Sequence, residues 1–292
     1  MLFRSLESSE IECVAVSEVA EAASEVALET SVENVEHESA QEKSKTSIQS
    51  IEPTSSKAEE KPIKFNIHYE GMEFPADLDA KLQKILASDT YTTGFFVESI
   101  DKTKRIYYNK DRRFFLASTV KAAVGLYAYK SASDQVSSLL PYIESMLHIS
   151  DNEAYLHLLD HFGRPNIQSY ISNFGMSSWN YKVDWAWGSA QDAAKLWHNI
   201  YDFVHSGDEW AQKMKSDIEN AQWHSSAMNL AEKGYTIGHK EGWNGVNNAF
   251  TYGCNMYVIR AGKSSYIWAS YNNSQENPGI QPQLLQAMDN YF

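Results

Sequence analysis

Two strand-like patterns, then a long helical stretch, then three strands and a helix: that order constrains the fold of this chain more than any other feature. Thr93–Ile100 reads as a strand, Asp101–Lys104 as a turn and Arg105–Asn109 as the returning strand of a hairpin. Just before it, Leu78–Ala87 places Leu78, Leu82, Ile85 and Leu86 on one side of an amphipathic helix. Helical spacing dominates from Ser118 to about Lys215, broken near Ser131–Asp134 and Ser177–Ser189. Strand patterns return over Tyr235–Lys240, Phe250–Arg260 and Ser265–Tyr271, and a last helix is expected from Gln281 to Tyr291. Such an order predicts an α/β (α+β) chain in which the first and last strands share a sheet across an inserted helical lobe.

Upstream of that region the composition changes. Residues 1–62 hold 14 Glu, no Asp and only five Lys or Arg, a net charge of −9 out of −13 for the whole chain. A segment this rich in Glu, Ser and Ala buries too little apolar surface to offset chain ordering, so a disordered acidic tail is expected over 1–62 and a folded domain over 63–292. The acidic balance argues against a nucleic-acid binder, because a phosphate backbone repels it. No run approaches the roughly 20 apolar residues of a membrane span, and Met1–Glu7 lacks the apolar core of a signal peptide. Cys13 and Cys254, one in the tail and one in a strand pattern, are not expected to pair; Cys254 reads as a small buried strand residue.

Three short motifs carry the chemistry. Ser118-Thr119-Val120-Lys121 follows the hairpin and opens a helix. A serine there lies near free backbone N–H groups, and a lysine three residues on shares its face. If partly buried, that amine can be neutral enough to take the hydroxyl proton. The same four residues also arise wherever serine caps a helix. Ser150-Asp151-Asn152 reads equally as a helix cap, and Lys240-Glu241-Gly242-Trp243 as a polar turn closing a strand.

Taken in order and with their flanks, Ala117–Lys121, Ile149–Ala154 and His239–Trp243 resemble the active-site set of class A β-lactamases and penicillin-binding proteins. The resemblance spans roughly Asn66 to Phe292. It implies an antiparallel sheet flanked by helices, a serine hydrolase working through an acyl-enzyme, no cofactor or metal, and an extracellular or cell-envelope location. The implied substrate is a small-molecule or cell-wall-peptide amide or ester. Ser118 would be the nucleophile and Lys121 its proton acceptor. Ser150, assisted by Lys240, would protonate the leaving nitrogen, and Asp151 would be structural. Asn152, Glu241, Gly242 and Trp243 would border the substrate, with the N–H groups of Ser118 and Trp243 as oxyanion donors.

Departures from the family pattern modify that expectation. The loop Gly175–Asp192 contains no glutamate, and Asp184 is its one carboxylate before the helix expected near Ser189. Without a deacylating base the acyl-enzyme would persist, as in a D,D-peptidase or penicillin-binding protein, and the alternative expectation is a binding module of the same fold with impaired catalysis. Glu241 stands where the family has Thr or Ser and would repel a substrate carboxylate, and only 32 positions separate Ser118 from Ser150, so the helical lobe is trimmed. Trp179, Tyr181, Trp185 and Trp187 crowd the loop, either pinning it or offering a stacking surface. His157 and His161 share a helix face but are too few for a closed zinc site.

Overall fold

The computed structural model describes residues 64–181, 184–222, 230, 232–246 and 249–292. The acidic tail expected over 1–62 lies outside them. Strands β1 (His68–Glu70), β2 (Thr93–Ser99), β3 (Arg105–Tyr108), β6 (Thr236–Val246), β7 (Ala249–Ile259) and β8 (Tyr266–Asn272) form one sheet in the order β1-β3-β2-β8-β7-β6. Every pairing is antiparallel, and β2 meets β8 along its whole length, from Thr93 opposite Asn272 to Ser99 opposite Tyr266. The two ends of the domain are thus joined across the helical insertion, as the strand–helix–strand order predicts.

Both faces of that sheet are covered, which is why β2 and β8 are buried at every position instead of alternating with polar residues. On one face, α1 (Ala76–Ala87) and α8 (Gln281–Met288) pack Leu78, Leu82, Leu284 and Leu285 against Phe95, Val97, Cys254 and Trp268. The other face meets the helical lobe, made of α2 (Lys121–Ser131), α3 (Val136–His148), α4 (Asn152–Phe162), α5 (Arg164–Ser172), α6 (Ala190–Val204) and α7 (Glu209–Glu219). A two-stranded ladder, β4 (Phe114–Phe115) with β5 (Trp187–Gly188), ties the aromatic loop to the chain just ahead of Ser118. No described helix is long and apolar enough to cross a membrane.

Boundaries differ from expectation in two informative places. The strand expected to close at Lys240 runs on to Val246, so Lys240-Glu241-Gly242 lies mid-strand and not at a turn. Polar and glycine residues there read as a turn locally, but pairing with β7 through Val246–Ala249 carries the strand past them. The final helix ends at Met288, three residues before Tyr291. Asp289, at its end, instead accepts hydrogen bonds from Lys233, Arg260 and Tyr266.

Candidate active site

Ser118 lies in a short 3₁₀ turn, Ala117–Val120, and the backbone N–H of Lys121 donates to its carbonyl, so the two residues are one turn apart. Ala117, immediately before the serine, has φ +45°. A residue with a Cβ is strained in that region by about 1–3 kcal/mol. The turn is bracketed by Leu116 N–H donating to Ala186 O at 3.0 Å and by Thr119 Oγ1 donating to Leu116 O at 2.6 Å. From the far side Gly242 presses on it: a Cβ built there would stand 2.5 Å from the nitrogen of Ser118 and 2.6 Å from that of Thr119. Only a glycine lets β6 approach the turn so closely.

The second hydroxyl comes from the link between α3 and α4. Asp151 caps α4, accepting from the N–H groups of Glu153 at 2.8 Å and Ala154 at 3.1 Å, and Ser145 Oγ donates to its other oxygen at 2.9 Å. Those backbone bonds and Ser145 hold its carboxyl below the usual carboxylate range. Ser150 precedes the cap with φ +62°, a second non-glycine residue in the left-handed region. That conformation turns its carbonyl and its hydroxyl toward the same lysine. Lys121 Nζ donates to Ser150 O, to Asn152 Oδ1 at 2.7 Å and to Ser150 Oγ at 3.2 Å. Lys240 Nζ donates to the same Oγ at 2.9 Å and to the carbonyl of Glu241 at 3.0 Å.

Both ammonium groups are buried, Lys121 without exposed surface and Lys240 2% exposed. Burial disfavours a charged amine, and like charges nearby add to that. Lys121 is accordingly lowered to about 7, by burial first and by Lys240 second, against a smaller raising effect of Asp151. Lys240 is lowered by burial to about 8, with Glu241 pulling the other way. At neutral pH one amine can therefore accept a proton while the other still carries one.

The structure brings Lys121, Ser150, Asn152 and Lys240 into one hydrogen-bonded cluster and sets Gly242 against the Ser118 turn. Glu241 is the correction. It does not border the cleft: its side chain is 1% exposed on the opposite face of β6, where Tyr252 donates to Oε2 at 2.8 Å and Cys254 Sγ lies 3.5 Å from Oε1. Strand alternation, which turns His239 away from Lys240, turns Glu241 away as well. Trp243, two positions on, follows the same alternation: its ring stacks on Tyr252, ring centroids 6.1 Å apart, so its side chain, contrary to expectation, does not border the cleft.

The loop resolves into distinct roles. Trp179 and Tyr181 are buried, and Tyr181 donates to Val120 O at 3.2 Å. Ser178 donates through both its N–H and its hydroxyl to Asp192 Oδ2, each at 2.7 Å, closing the loop onto α6. The Asp184 carboxylate pairs with Arg164, which also holds Asp160. Trp187 remains 40% exposed beside Phe115. Trp185, singled out in the sequence as a loop aromatic, and Tyr155, which motif reading missed, are neighbours of the cluster: each ring centroid lies 5.7 Å from Lys121 Nζ. Tyr155 had a signal, since it follows Asn152 by three on a helix and so shares its face. His157 stacks on Tyr142 while His161 bonds Gln135, so the two histidines serve different neighbours.

Away from this cluster, a cavity of about 460 Å³ opens between β1–β3 and α6. Several of the polar side chains around it pair: His198 Nε2 lies 2.6 Å from Glu98 Oε2, Arg105 holds Glu70 and Glu98, and Lys195 holds Asp192. None of the motif residues lines it.

A model of the beta-lactamase enzyme family matches residues 77–140 and 131–281 of the chain. No curated protein matches it in sequence. Among solved structures, a beta-lactamase from Sphaerobacter thermophilus superposes with a TM-score of 0.61 at 16% identity, covering 75% of this chain and 96% of that one. PBP-A superposes with a TM-score of 0.62 at 18% identity, covering 75% and 96%. A mutant of PBP-A in an acyl-enzyme complex with penicillin G gives 0.61 at 17%, covering 75% and 97%. At such identities the likeness concerns the fold.

Proposed function

The chain belongs to the beta-lactamase enzyme family, and we propose that it is a serine hydrolase that forms an acyl-enzyme on Ser118 with a β-lactam-like or cell-wall-peptide-like amide or ester and releases it slowly. The observation that carries this reading is the Ser150 hydroxyl, held within 3.2 Å of Lys121 Nζ and 2.9 Å of Lys240 Nζ. A purely structural serine has no use for two buried amines lowered toward neutrality.

In this mechanism neutral Lys121 takes the proton of Ser118 Oγ as that oxygen bonds to the substrate carbonyl carbon. The N–H groups of Ser118 and Trp243 stabilise the oxyanion, a contribution of about 3 kcal/mol per donor in comparable sites. Collapse breaks the carbon–nitrogen bond, and the nitrogen takes the Ser150 proton, which Lys121 restores. Lys240, still charged, stabilises Ser150 while its proton is in transit. Asn152 holds the Lys121 amine and borders the substrate.

Slow release follows from the loop. Its carboxylates are Asp184, engaged by Arg164, and Asp192, engaged by Ser178 and Lys195. With both carboxylates engaged in this way, neither is assigned the role of activating a water at the acyl group. The cell envelope, where cell-wall peptides occur, is the location this reading implies.

Intact-mass spectrometry with penicillin G, other β-lactams and a neutral fluorophosphonate tests the reading. A persistent adduct on Ser118, absent from Ser118→Ala, is the expected result. Fast turnover without accumulation would overturn slow release, and no adduct with any reagent would make the domain a binding module.

A further inference from the structure

The Lys121 ammonium is walled by two aromatic rings from different parts of the chain. Tyr155 projects from α4 and Trp185 from the loop; their centroids are 4.9 Å apart at an interplanar angle of 31°, and each lies 5.7 Å from Lys121 Nζ. The Tyr155 hydroxyl donates at 2.5 Å to the carbonyl of Asp184, the residue just before Trp185. One side chain thus forms half of the wall and fastens the backbone that carries the other half. We propose that Trp185 is a positioning residue: with Tyr155 it keeps bulk water from the Lys121 nitrogen, so that the amine is available as a base for Ser118 near neutral pH. The inference rests on the acylation reading above.

Aromatic faces attract a cation by about 0.5–2 kcal/mol, which favours protonated lysine. Water in their place would hydrate the ammonium better still, so the net effect of the wall is to favour the neutral amine. The other groups facing Lys121 do not substitute for the wall. Lys240 comes from β6 and acts in the same direction, and Asp151 opposes it from the cap of α4. Tyr181 is committed to Val120 O, and the Asp184 carboxylate to Arg164. Two amine hydrogens are directed to Ser150 O and Asn152 Oδ1, and the third nitrogen position faces Ser150 Oγ at 3.2 Å.

The test is the pH profile of Ser118 acylation by penicillin G, or by the fluorophosphonate if only that reagent labels, measured on the full chain by quenched intact-mass spectrometry. Trp185→Ala is expected to move the acid limb upward by roughly one pH unit or more, slowing acylation about tenfold at neutral pH and recovering in base. Trp185→Phe should keep the limb in place. Tyr155→Phe, which retains the ring but releases Asp184, should shift it in the same direction by less, and serves if the alanine variant does not fold. An unmoved limb, a downward shift, or an equal loss at every pH would overturn the proposal and leave Trp185 a packing residue. Absence of labelling in the unmutated chain would instead overturn the acylation reading itself.

Discussion

Lys121 and Lys240 share one hydroxyl: their nitrogens donate to Ser150 Oγ from 3.2 and 2.9 Å. They reach it from opposite parts of the fold, one from the start of α2 and the other from the edge strand β6. The relationship makes pH the most direct probe of the site. Lys121 must be neutral to accept a proton, which happens above about 7. Lys240 must be charged to support Ser150, which holds below about 8. Acylation rate should therefore follow a narrow bell with its maximum between those values. The limbs belong to a coupled pair, so Lys240→Ala, which removes the neighbouring charge that lowers Lys121, should move the acid limb upward as well as abolish the basic one. A rate that rises steadily from acid to base would count against this assignment.

Gly242→Ala should damage the site from behind. The added Cβ meets backbone nitrogens at 2.5 and 2.6 Å, which cannot rotate away as a side-chain tip can. Either β6 or the Ser118 turn must move, at a cost of about 1–3 kcal/mol. A displacement of the nucleophile on that scale should slow acylation about 100-fold. Denaturant titration and labelling kinetics together read both effects; an alanine variant with unchanged labelling would show that the approach of β6 is not needed.

Glu241 works from the hidden face of its strand. Glu241→Leu leaves the Tyr252 hydroxyl without this acceptor in the sheet interior, and should reduce stability by about 1–3 kcal/mol. It also removes the charge that opposes the fall of the Lys240 pKa, so the basic limb of the acylation profile should move to lower pH. Thermal melting and the pH profile check the two halves independently. A variant that melts normally, or whose basic limb moves up, would contradict this placement.

The Arg164 pairs with Asp184 and Asp160 are partly exposed, with side-chain exposures of 28%, 51% and 73%. Pairs of that kind contribute under about 1 kcal/mol. Arg164→Ala should thus melt close to the parent, yet it releases the loop at the residue beside Trp185. Limited proteolysis should then find a new cleavage near Asp184, and addition of salt to the parent should mimic only part of the change.

Local pattern made most of this architecture readable. The spacing of Leu78, Leu82 and Leu86, the β2–β3 hairpin and the three C-terminal strands depend on neighbours within a few residues, and all fall where expected to within the ends of elements. The short β1, β4 and β5 were not legible, because two or three residues carry no period and acquire their pairing from distant strands. At the site, the three motifs read equally as caps and a turn when taken singly, and only their order and resemblance to a family made Ser118, Lys121, Ser150, Asn152 and Lys240 candidates.

What the amino-acid order determined alone was the sequence of strands and helices, expressed in short-range spacing, together with three motifs that made their residues candidates. The folded chain decided the rest: that Glu241 serves the interior and not the cleft, that Ala117 and Ser150 adopt left-handed backbone, and that Tyr155 and Trp185 enclose an amine. Those outcomes depend on contacts between residues from 11 to several tens of positions apart. No local periodicity encodes them, because burial and charge screening are properties of the packed whole.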